Sequence, residues 1–95
     1  MPKLRTEIEA VAGRLILAIQ KEWHNELGEE SASESEEIMH TSHYLLQAAK
    51  ANTLTSLLGG RTIAQFLGSS WVGRHPRVIP TIKEFQALIK SEGAI

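Results

Sequence analysis

The stretch "LRTEIEAVAGRLILAIQKEWHNELG", Leu4 to Gly28, decides the fold class. Leu4, Ile8, Val11, Leu15 and Ile19 recur at spacings of three and four, the apolar stripe of an amphipathic helix. The spacing predicts a helix from about Lys3 to Leu27, with Pro2 at a tolerated first-turn position and Gly28 as its stop. Within it, "LILAI" (Leu15 to Ile19) is apolar nearly all the way round, so Leu17 lies opposite the main stripe. A helix that is apolar on every side is buried on every side. In a chain of 95 residues, that implies either a central helix or a face for self-association. Leu15, Leu17 and Ile19 are the residues assigned to that face, and the expected assembly is a homodimer with Leu17 in or near the interface. Glu22 and Glu26 continue the line that Leu15 begins. Either the helix leaves the core there, with Trp23 taking over the contact, or two carboxylates face a partner element. The first explanation is the stronger, because a paired carboxylate site needs a cleft and a second polar group.

Outward from this helix, residues 28–35 ("GEESASES") form an acidic, serine-rich loop. Ser33-x-x-Glu36 has capping-box spacing, and a second helix is expected from there to about Ala51. Its inner face carries Ile38, Ser42, Leu45 and Ala49. Next comes a repeat: Thr53 to Gly60 ("TLTSLLGG") matches Thr62 to Ser69 ("TIAQFLGS") nine residues on. Thr62-x-x-Gln65 is a capping box, and Gly59 and Gly68 stand where a positive-φ residue ends a helix. Two short helices are therefore expected, plugging one end of a bundle, because helices of two turns cannot stand alone. Gly73, Pro76 and Pro80 punctuate "SSWVGRHPRVIP", which reads as a loop with one short turn around Trp71 and Val72. A last helix is expected to start at the capping box Thr81-x-x-Glu84, to bury Ile82, Phe85, Leu88 and Ile89, and to stop at Gly93. No segment alternates long enough to build a sheet. The expected fold is all-α: one domain, 1–95, built as a compact bundle of two long helices, two or three short ones and a C-terminal helix.

The bulk chemistry bounds the function. There is no cysteine, which removes disulfides and thiolate metal sites. The longest apolar run is far too short for a bilayer, and the N-terminus lacks the apolar core of a signal peptide, so no membrane and a cytoplasmic location are expected. The net charge of −1 hides an asymmetry: residues 1–49 hold four Lys/Arg and nine Asp/Glu, and residues 50–95 hold six and two. Such a chain can attract copies of itself, or a phosphate backbone through its basic half.

Three constellations could carry chemistry. Trp71, Arg74, His75 and Arg77 gather an indole and two guanidinium forks within seven residues, suited to a carboxylate or phosphate partner. "GRTIAQFLG" (Gly60 to Gly68) resembles the first half of a helix-turn-helix. Ile63, Ala64, Leu67 and Gly68 fall where that motif takes an apolar, a small and an apolar residue and the turn glycine. The resemblance ends there, since Pro76 stands in the middle of the supposed recognition helix. Glu36, His40 and His43 share one face of the second helix, but that face lies opposite its apolar stripe, so a metal site there is only a weak alternative. There is no phosphate loop, nucleophile elbow or Cys–His pair.

These features point to a non-enzymatic interaction module, a regulator, adaptor or inhibitor that binds another protein, self-associates and needs no cofactor. The alternative is a DNA- or RNA-binding regulator using residues 69–80. The structural reading of that segment makes Trp71 a plug in the bundle and the arginines partners for the acidic N-terminal half.

Overall fold

A computed structural model describes residues 3–91, with side chains described for 7–90. The expectations for Pro2, the Leu4 side chain and Gly93 lie outside the described residues. The fold is all-α. Its elements are α1 (Lys3–Asn25), α2 (Ser31–Ala51), α3 (Leu54–Leu58), α4 (Ile63–Leu67), α5 (Ser69–Arg74), a 3-10 turn (Pro76–Val78) and α6 (Ile79–Ser91). Among the described residues there is no strand.

The two long helices follow their apolar spacing. On α1, Ile8, Val11, Ala12, Leu15 and Ile19 are buried, the three–four spacing that sets one stripe along a helix. On α2 the buried row is Ser35, Ile38, Ser42, Leu45, Ala48 and Ala49. Helix α1 packs most extensively on α2 and next on α6, so it is the central element of the bundle. The core draws on every helix, with Phe85 of α6 and Val78 of the 3-10 turn fully enclosed. Leu17 departs from the all-round burial expected of "LILAI". Ile16 is buried with Leu15 and Ile19, but Leu17 is 63% exposed. The neighbours of α1 cover its sides and leave its back to solvent.

The short helices close the bundle where the nine-residue repeat placed them. Helix α2 ends at Asn52, whose φ of 61° is left-handed and whose N–H reaches back to the carbonyls of Ala48 and Ala49, the arrangement that satisfies a helix's last acceptors. Gly59 (φ 58°) ends α3 and Gly68 (φ 128°) ends α4. Arg61 completes the first corner. Its Nε donates to the Leu58 carbonyl at 2.8 Å and its guanidinium lies over the Phe66 ring at 5.2 Å. The capping box at Thr62 and Gln65 forms in full.

Three boundaries differ from the sequence expectation. Helix α2 begins at Ser31, and the residue before it makes no side-chain cap, so Ser33 and Glu36 lie inside the helix and form no capping box. Residues 69–80 are not a loop: α5 runs through Gly73, and Pro76 opens the 3-10 turn. Proline is accepted there because a first-turn N–H has no intrahelical partner in any case. Helix α6 begins at Ile79 rather than at Thr81. Glu84 therefore caps nothing and instead receives both guanidinium nitrogens of Arg14 on α1, at 3.1 and 2.9 Å.

Candidate functional site

The segment expected to form the contact surface divides into an inner and an outer part. Helix α5 is short and His75 is the residue that ends it; Trp71 and His75, four residues apart, fall on one face. That face turns inward. Trp71 is 1% exposed and His75 6%, and their rings stack with centroids 4.0 Å apart and planes at 15°. Arg74 and Arg77 face out. An indole this buried can neither stack on a nucleobase nor offer a contact to a protein. Its burial corrects the expectation that Trp71 and His75 are presented to a partner, and Trp71 is the plug of the bundle.

The polar ends of those two rings meet Glu26 and Ser35. Trp71 Nε1 donates to Ser35 Oγ at 2.9 Å. The single hydroxyl proton of Ser35 goes on to Glu26 Oε1 at 2.5 Å. Glu26 Oε2 lies 2.5 Å from His75 Nε2. His75 Nδ1 sits 2.8 Å from the Trp71 carbonyl, which can only accept, so Nδ1 carries a hydrogen. The Nε2 contact to the carboxylate is then attractive only with a proton on the line between the two atoms. The chain Trp71–Ser35–Glu26–His75–Trp71 closes on itself, and each donor and acceptor in it is used. Burial pushes the Glu26 carboxyl up. Hydrogen bonds from Ser35 and His75, the attraction of His75 and a hydrogen bond from Ser31 outweigh that, and the carboxyl stands below the ordinary carboxylate range. Sequence reasoning missed this site by preferring the helix to leave the core at Glu22 and Glu26. Glu26 does face a partner element, and the second polar groups come from Ser35 of α2 and from His75 at the end of α5.

The ring also explains the shape of the corner between α1 and α2. After Asn25 the chain turns through Glu26 to Glu30, held by Glu26 N–H to the Trp23 carbonyl (3.0 Å) and Glu29 N–H to the Glu26 carbonyl (2.9 Å). Gly28 supplies the required positive φ of 92°. The corner places the Glu26 carboxylate inward and leaves Leu27 52% exposed.

On the outer side, Arg74 is held by Glu34 of α2, with Nη2 at 2.9 and 3.0 Å from the two carboxylate oxygens. Arg77 has no ion-pair partner among the described residues. It borders a groove of ≈ 860 Å³ on the exposed back of α1, lined by Arg14, Leu17, Ala18, Gln20, Lys21, Glu22, Trp23, His24, Asn25 and Arg77. Leu17 and Ala18 give it apolar lining beside the half-buried Trp23, and the exposed cations Arg77 and Lys21 line it together with Glu22. Of the residues assigned to self-association, Leu17 alone faces this groove. Leu15 and Ile19 are 0% exposed inside the chain's own core, which corrects their assignment.

The remaining candidate does not assemble. Glu36 and His40 lie 3.6 Å apart, both largely exposed, and His43 points to solvent as well. Among the described residues no group of three or more His, Asp or Glu is arranged to hold a metal ion. No helix among them is long and apolar enough to cross a membrane. No family model, curated protein or solved structure is detectably similar to this chain.

Proposed function

We propose that this chain is a small non-enzymatic interaction module, a regulator, adaptor or inhibitor, that works by protein–protein contact and associates with itself through the back of α1. The observation that carries this reading is Leu17, 63% exposed on the helix whose other faces build the core. A lone exposed leucine would need no explanation. Here it shares a groove with Trp23 and Arg77, and Trp and Arg are the residue types enriched at the energetic centres of protein interfaces. The ring of Glu26, Ser35, Trp71 and His75 has residue types used in catalysis, but Ser35 is 0% exposed and its proton is committed to Glu26. That arrangement supports a structural role for the ring and a binding role for the surface.

Sedimentation of the wild type and Leu17→Glu tests the reading. The wild type is expected as a dimer and Leu17→Glu as a folded monomer, because an interfacial carboxylate would have to be buried without a partner. If both sediment as the same monomer, self-association through α1 is wrong.

A further inference from the structure

The groove on α1 is only half of a contact, and the other half lies next to it on the same chain. Its lining joins the apolar Leu17, Ala18 and Trp23 to the cations Arg14, Lys21 and Arg77, with Glu22 as its one carboxylate. Arg77 and Lys21 are exposed and make no ion pair among the described residues, while Arg14 is already held by Glu84. Directly after α1, the corner presents the reverse pattern. Leu27 is 52% exposed, and Glu29 and Glu30 are exposed without an ion-pair partner among the described residues. One leucine followed by two carboxylates matches a groove that combines an apolar lining with two cations free of ion pairs among the described residues.

We propose that the groove is filled by the corner Leu27–Glu30 of a second copy of this chain, with the two copies related by a two-fold axis across the last turns of α1. The proposal rests on the self-association reading above and adds to it the segment that occupies the groove. Three features support it. First, groove and corner are contiguous: the groove follows α1 as far as Asn25 and the corner begins two residues later, at Leu27. Laying the C-terminal halves of two α1 helices antiparallel therefore sets each corner against the other groove. A two-fold interface of this kind closes on itself and uses both contacts at once. Second, charge favours this pairing: Glu29 and Glu30 bring two carboxylates to Arg77 and Lys21, where groove on groove would offer them Glu22 alone and set cation against cation elsewhere. Third, the corner is preformed. Its backbone turns are hydrogen-bonded, and Glu26 anchors it to Ser35 and His75, so little ordering remains to be done on binding.

A charge exchange tests the proposal. One variant carries Lys21→Glu with Arg77→Glu, and the other carries Glu29→Arg with Glu30→Arg. All four positions are exposed, so both variants are expected to fold, as circular dichroism and melting would verify. In sedimentation across a wide concentration range, each variant alone is expected to dimerise at least about tenfold more weakly than the wild type. An equimolar mixture is expected to recover wild-type affinity as a heterodimer, because both contacts are then again of opposite sign. Wild-type dimers that tolerate either reversal, or a mixture that stays monomeric, would overturn the placement of the corner while leaving self-association intact. A wild type that is monomeric throughout would overturn both. If that monomer bound a synthetic acidic, leucine-containing helix through Leu17, the groove would belong to a different protein.

Discussion

Glu26 accepts hydrogen bonds on both carboxylate oxygens, from Ser35 and from His75, and its side chain is 17% exposed. Removing one partner of such a pair leaves a poorly solvated charge, so Glu26→Ala or His75→Ala is expected to cost on the order of 3 kcal/mol in denaturant unfolding. Ser35→Ala should cost about 1–3 kcal/mol, since it strands the Trp71 indole N–H and one carboxylate oxygen together. The pH dependence follows from the depressed Glu26 carboxyl. A carboxyl that is more acidic in the folded chain contributes stability that is fully present above its unfolded value, about 4.3. That contribution is lost as pH falls through the lower folded value. The stability gap between the wild type and Glu26→Gln should therefore narrow as a urea-denaturation series is carried down through that range; a gap independent of pH would exclude the linkage. At this scale the sequence was only partly legible. The anomaly at Glu26 was visible as a carboxylate on the line of the apolar stripe. Its partner His75 stands 49 residues away, and no local spacing announces a contact at that range.

Among the helices, the short ones depend most on single positions. Gly68 has φ 128° and its missing Cβ would stand 3.6 Å from Ile38 Cδ1. The space is ordinary but the backbone is not, and an L-residue there is strained whatever its size. Gly68→Val is expected to destabilise by at least about 1 kcal/mol, and Gly59→Val by a similar amount for its left-handed φ of 58°, both read from thermal melts. Melting at the wild-type temperature would mean that α3 and α4 do not end at these glycines. Arg74 behaves differently. Its pair with Glu34 is about half exposed, so Arg74→Glu should change stability by no more than about 1 kcal/mol. A larger loss would give that pair a structural weight its exposure does not suggest. Element boundaries were legible wherever a local signal had no competitor. Thr62 with Gln65, and the glycines closing α3 and α4, encode their own geometry within a few residues. Ser33–Glu36 and Thr81–Glu84 have the same spacing but sit inside helices. The chain enters α2 from the corner that Glu26 anchors, and enters α6 from the 3-10 turn, so tertiary contacts override the local cap.

Across the whole molecule, the basic second half meets the acidic first half where Arg74 pairs with Glu34, while Arg14 and Glu84 join the halves with the signs reversed. The bundle itself was legible in the sequence because apolar periodicity reports directly on burial. The groove was not, because the exposure of Leu17 depends on which neighbours reach the back of α1, and spacing along one helix carries no such information. Arg77 reaches the same groove from the far end of the chain by the path of α5 and the 3-10 turn. The groove is also equipped to report on itself. The chain has two tryptophans: Trp23 lines the groove and Trp71 is 1% exposed, within the core. Their emission should separate into a red-shifted component that iodide quenches and a blue-shifted one that it cannot reach. Occupation of the groove should protect the first, and loss of the Glu26–His75 contact should perturb the second. Unlabelled protein in a fluorimeter thus carries two independent optical channels, one reading surface contact and the other the integrity of the core.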